Sequence, residues 1–142
     1  MVTDAAQLWK LNHRLLTLVL NACSGRFAEL GIEPKEFFVL AEVATSPYPA
    51  ELASALATPK ASVTVYVRNL VAKGLITREI DAGDLRRHRL LLTPAGEATR
   101  DQASEALAME FETRLGVLST AQRDQLESLL QLVLSPESGA AP

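Results

Sequence analysis

A chain of 142 residues, 48% hydrophobic and 22% charged, has the length and apolar content for one packed domain and is too hydrophobic to remain unfolded. Its formal net charge of −3 does not by itself point to a polyanionic partner, and no apolar run reaches bilayer-spanning length. The single cysteine forbids an internal disulfide. With only two histidines beside it, a His/Cys metal site is excluded, and neither metal nor other cofactor is expected. Asp4 stands where a signal peptide would carry a base, which points to a cytoplasmic protein in a reducing compartment, with no membrane association.

In chain order, residues 5–30 read as one long helix, with Leu8, Leu11, Leu15, Leu16, Val19, Leu20, Cys23 and Phe27 recurring every three or four positions. Gly31 suits the left-handed position that ends a helix. Pro34 fits the first turn of a second helix with Phe37, Phe38, Leu40 and Val43 on its apolar side, one of the two phenylalanines being core. Two prolines within 46–49 break it. A short helix at about 50–57 faces Leu52, Ala53 and Leu56 inward, and a turn at Thr58, Pro59 and Lys60 leads to a helix at about 61–73. Val63, Val67, Leu70 and Val71 form the buried stripe of that helix.

Gly74 ends it, and 75–80 and 89–93 read as the two strands of a hairpin turning at 81–84. Its tip is expected to carry Asp84, Arg86, Arg87, His88 and Arg89. Thr93 and Pro94 fit the cap and first position of a helix to about 116. Ser119 and Gln122 form a capping-box pattern for a last helix to about 134. The fold class is mainly α with a small β-hairpin wing: a winged helix-turn-helix at 34–93 between N- and C-terminal helical regions at 1–33 and 94–134, and a disordered tail at 135–142.

The charge is unevenly spread. Residues 58–93 hold seven Lys and Arg against three Asp and Glu, and the rest of the chain holds seven against fourteen. Affinity for polyanions is therefore localised on the second helix of the pair and the wing. The outward face of that helix, Val65, Asn69 and Ala72 flanked by Ser62 and Arg68, is small and polar where a merely solvated face would carry Glu and Lys. In a major groove, Ser62, Thr64 and Asn69 can meet base edges and Val65 a thymine methyl, while Lys60 and Arg68 meet phosphate or guanine. On the wing, Arg86, Arg87 and Arg89 are candidates for phosphate or a narrow minor groove, with Asp84 pinning the wing through an arginine. Alternation puts Arg87 and Arg89 on one side and His88 on the other. The expected partner is double-stranded DNA.

LGI and KEFFVL at 30–40, ELASAL at 51–56, SVTVYVRNLVAKGLITR at 62–78, Asp84 and Arg86 as D-x-R, LLLTPAGEA at 90–98 and LSTAQRDQLESLLQLV at 118–133 occur in an order and spacing that resemble the MarR family of bacterial transcriptional regulators. The resemblance covers roughly residues 10–134. It implies a homodimer built from the first and last two helices, which makes 1–33 and 94–134 the dimerisation helices, reading a pseudo-palindromic operator. It also implies repression relieved by a small aromatic or anionic effector bound between the dimerisation and DNA-binding regions. Wide apolar stripes on the first and last helices agree with a dimer. The chain departs from the family at Val65, where an arginine is common, at Tyr48, near the usual Ser/Thr cap, and at Glu33, where threonine is usual.

Trp9, His13, Arg14 and Thr17 share part of one helix surface, either as interface packing or, with Phe38 as floor, as an effector pocket. Cys23 lies on the apolar stripe, where an inert buried thiol is the default and a redox sensor the sharper alternative. A winged-helix protein-interaction module is the remaining rival. No nucleophile–base pair, glycine-rich phosphate loop or metal spacing suggests an enzyme.

Overall fold

The structure, a computed structural model, describes residues 2–135. Among these the order is α1 (Ala5–Ala22), α2 (Ser24–Glu29), α3 (Pro34–Glu42), α4 (Pro49–Ala55), α5 (Lys60–Ala72), β1 (Ile76–Asp81), β2 (Asp84–Leu92), α6 (Pro94–Leu115) and α7 (Thr120–Leu134). The chain divides inside α6 into two compact units, Met1–Ala108 and Met109–Pro142. The tail expected to be disordered lies, from residue 136 on, outside the described residues.

The single helix expected over 5–30 is two helices. Asp4 caps α1 by accepting the Ala6 N–H at 3.0 Å, and the helix ends at Cys23. Ser24 and Gly25 follow, both weak helix formers, and the Ser24 hydroxyl donates to the Asn21 carbonyl at 2.8 Å, competing with the backbone ladder. Beyond the break, Phe27 is buried, whereas Leu8, Trp9, Leu11 and Leu16 of α1 are exposed.

The core of the first unit is built around α3. Phe37, Val39 and Leu40 pack with Leu52 and Ala53 of α4, Val63, Val67 and Leu70 of α5, Leu75, Ile76 and Leu90 of the hairpin, and Ala103 of α6. Burying each leucine such as Leu40, Leu52 or Leu70 stabilises the fold by about 2 kcal/mol. Between α4 and α5 the chain turns through Ala57, whose φ of 48° is left-handed for a residue with a side chain. Pro59 then precedes α5 and fixes its entry.

β1 and β2 pair antiparallel, Ile76 opposite Leu92 through Ile80 opposite His88. The register then jumps to Asp81 opposite Asp84, so Leu85, Arg86 and Arg87 have no opposite residue in β1. β2 starts at Asp84, five residues earlier than expected, and the basic residues lie along it and not at the tip, which is Ala82 and Gly83. Two aspartates account for the shift. Asp81 accepts the Gly83 N–H at 2.8 Å and Asp84 the Arg86 N–H at 3.0 Å, each folding its own short turn. The Leu90 N–H donates to the Pro47 carbonyl at 2.8 Å and joins the hairpin to the segment before α4.

Thr93 links hairpin and helix. Its hydroxyl donates to the Gly74 carbonyl at 2.6 Å and accepts the Gly96 N–H at 3.0 Å. At Gly96 a Cβ would collide with the Leu75 carbonyl, so only glycine permits this approach. In the second unit, Ser119 and Gln122 form a reciprocal capping box at the start of α7, and Arg123 pairs with Glu112 at 2.8 Å. Leu129, Leu132, Val133 and Leu134 of α7 are exposed. Among the described residues no helix is long and apolar enough to cross a membrane, and no three His, Cys, Asp or Glu side chains are grouped to hold a metal ion.

Candidate nucleic-acid interface

Burial of Val63, Val67 and Leu70 fixes which way α5 faces. At 3.6 residues per turn the opposite side is Val65, Arg68, Asn69 and Ala72, all exposed, with Val65 at 44%. Ser62 falls outside this face. It is half-buried and lines a cavity of about 570 Å³ with Lys35, Phe38, Leu56, Thr58 and Tyr66. Thr64 is exposed on the other flank, and its hydroxyl donates to the Lys60 carbonyl at 2.9 Å, which leaves its oxygen lone pairs as acceptors.

A cleft of about 470 Å³ opens between the start of α4, the flank of α5 and the hairpin. It brings together Lys60, Thr64, Arg78, Arg86, Arg87 and His88 beside Tyr48 and Glu51. Four cationic side chains from three elements, Lys60, Arg78, Arg86 and Arg87, thus border one concavity, which concentrates positive potential there.

The arginines of β2 differ in their commitments. The Arg86 side chain is 95% exposed, with its Nε 3.8 Å from Asp84 Oδ1. Arg87 is engaged within the protein: its guanidinium lies 3.6 Å from the centroid of the Tyr48 ring and donates to Glu51 Oε1 at 3.1 Å. Arg89 is exposed opposite Glu79 of β1. The Tyr48 hydroxyl donates to Asp81 Oδ2 at 2.6 Å. This bond raises the Tyr48 phenol above its ordinary value. The same bond, followed by the Gly83 N–H, holds the Asp81 carboxyl below its own.

Of the five residues considered for an effector pocket, four lie on α1 and Phe38 lies on α3. Trp9, His13, Arg14 and Thr17 are exposed on α1, with the Trp9 and His13 rings 6.1 Å apart. Phe38 instead lines the cavity beside Ser62 and packs against Phe37, which is core. Cys23 is buried, its Sγ donating to the Ala106 carbonyl at 3.4 Å.

A model of the MarR family matches residues 30–87, from the end of α2 through α5 into the wing. That stretch, which holds most of the winged helix-turn-helix, is what the chain shares with the MarR family. A putative transcriptional regulatory protein for the hcr operon of Thauera aromatica is 29% identical over 110 residues, covering 76% of this chain; the match spans 66% of that relative's length. The fold is that of solved MarR structures. The apo form of wild-type MarR from E. coli superposes with a TM-score of 0.78 at 22% identity, covering 95% of this chain and 100% of that one. MepR from S. aureus, in a complex with DNA, gives 0.74 at 20% identity, covering 94% and 98%. A MarR-family regulator from Rhodococcus sp. RHA1 gives 0.78 at 18% identity, covering 96% and 99%.

Sequence reading gave Glu51, Arg78 and Asp81 no role at this site and noted Tyr48 only as a departure near the usual Ser/Thr cap. The signal was present in one of them. Tyrosine is an unfavourable residue at the N-cap of α4, where a short oxygen-bearing side chain would satisfy the helix N–H groups. A misfit at one structural role is a sign of another.

Proposed function

We propose that this protein is a transcriptional regulator that binds double-stranded DNA in a sequence-specific manner, as a homodimer. One observation carries the reading: the exposed, uncluttered face of α5 lies beside the cationic cleft and wing. Val65 and Asn69, with Thr64 as acceptor, suit base edges in a major groove; Lys60, Arg68, Arg86 and Arg89 suit phosphate or a minor groove. The complex of MepR with DNA supports the same use of the shared fold.

A second copy of the chain is the partner that best fits the exposed Leu8, Trp9, Leu11 and Leu16 of α1. The exposed leucines of α7 support it separately. On this reading 1–33 and 94–134 dimerise and 34–93 binds DNA. Repression relieved by a small effector follows from the family resemblance alone, because Phe38 lines its cavity with Lys35 and Ser62 while the four α1 residues are exposed. Burial of Cys23 favours a packing role over redox sensing.

Fluorescence anisotropy with a labelled random-sequence duplex, titrated across salt, tests the reading. Wild type binds at low salt with a steep negative dependence of log K on log salt, and Arg86→Ala lowers the slope by about one. An Arg86→Ala protein with unchanged affinity and slope would exclude the wing from the interface, and no wild-type binding at low salt would reject the reading outright.

A further inference from the structure

Tyr48 stands at the N-cap of α4 yet makes no side-chain cap bond to it. Its side chain serves the wing instead. The hydroxyl donates to Asp81, the last residue of β1, and the ring face carries the guanidinium of Arg87 from β2. Glu51, on the first turn of α4, accepts from that guanidinium. One aromatic side chain therefore grips both strands of the hairpin.

It does so at the place where the strands cease to hold each other. The register jump leaves Leu85, Arg86 and Arg87 with no opposite residue in β1. The backbone ladder alone leaves the direction of this stretch undetermined, and ties from outside the hairpin must set it. Tyr48 and Glu51 supply them through Arg87 and Asp81, and the Pro47 carbonyl adds a backbone tie at Leu90. Among the described residues adjacent Arg86 pairs only with Asp84, and its side chain is exposed, whereas Arg87 is turned back onto α4.

Building on the DNA-binding reading, we propose that Tyr48 is a positioning residue for DNA recognition: it locks the wing to α4, withholds Arg87 from the nucleic acid, and aims Arg86 at the minor groove. The two neighbouring arginines then have separate tasks. Arg87 is internal framework and Arg86 is the contact.

The test is a double-mutant cycle on the full chain, with a fluorescein-labelled duplex carrying the sequence that wild-type protein selects from a random pool. Tyr48→Phe keeps the ring under Arg87 and removes the bond to Asp81. It should weaken binding about two- to tenfold, the range for one hydrogen bond. In an Arg86→Ala background the same change should have no further effect, because the side chain that Tyr48 aims is gone. A role confined to fold stability would instead weaken binding equally in both backgrounds, and that result overturns the proposal. Arg87→Ala placed on an Arg86→Ala background gives an independent reading: the salt slope should stay where Arg86→Ala alone puts it, because Arg87 makes no phosphate contact of its own. A further fall of about one in the double variant also overturns the proposal. Failure of wild type to select any duplex rejects the DNA-binding reading itself, and the proposal with it.

Discussion

Lys73 Nζ lies 2.7 Å from Oε1 of Glu36, a carboxylate 1% exposed in the first turn of α3. The same oxygen accepts the Glu33 N–H at 2.9 Å, and Oε2 is buried without a hydrogen-bond partner among the described residues. Lys73 is the C-cap of α5, so this pair ties the end of the candidate recognition helix to the core helix beneath it. Lys73→Met leaves a buried carboxylate uncompensated. Because Lys73 itself is 39% exposed, water offsets part of the loss. The expected destabilisation is about 1–3 kcal/mol, below the roughly 3–5 of a fully buried pair. Urea unfolding measures it, and an unchanged midpoint at unchanged slope would show that the pair contributes nothing.

Ala57 carries a backbone penalty in the turn between α4 and α5. A left-handed conformation costs a residue with a Cβ about 1–2 kcal/mol, and glycine adopts it freely, though glycine gives some of this back as entropy in the unfolded chain. Ala57→Gly should therefore raise stability by about 0.5–1 kcal/mol. Thermal unfolding decides it: a lowered midpoint would mean that the turn is not left-handed at this residue.

The Tyr48–Asp81 bond has a defined pH window. The Asp81 carboxyl is held below its ordinary value, so its contribution is complete above that value and is lost as pH falls through the depressed one. The Tyr48 phenol is raised, so its contribution is complete below its ordinary value and is lost as pH rises through the raised one. The tether is whole across neutral pH. An ultraviolet titration should give Tyr48 ionising at higher pH than in an Asp81→Asn variant, where the accepting charge is gone. Identical titration of the two proteins would rule out the bond in solution.

Helix boundaries, the hairpin and the direction of α5 were legible because each rests on a local rule: Pro34 and Pro94 at first helical positions, Gly31 and Gly74 at left-handed ends, Val63, Val67 and Leu70 at helical spacing. The break at Cys23 was hidden because the apolar spacing runs unbroken across it, and only Ser24 and Gly25 oppose the pattern. The candidate site was less legible. Counting charge located the basic segment but could not distinguish Arg86 from Arg87. That difference depends on Tyr48 and Glu51, more than thirty residues earlier, and on a register jump set by two aspartates. Likewise Ser62 shares the polarity of the outward face, but helical rotation carries it into the cavity beside Phe38. Pair contacts between distant elements leave no periodic trace in a single sequence.

On the proposed reading the exposed face of α5 reads base sequence. Selection of bound duplexes from a random pool, run in parallel with wild type and Asn69→Ala, tests it most directly. Wild type should enrich a two-fold symmetric site with half-site centres about one helical turn apart, and Asn69→Ala should relax preference at one position in each half-site. No enrichment by wild type, or the same site recovered unaltered by Asn69→Ala, would contradict it.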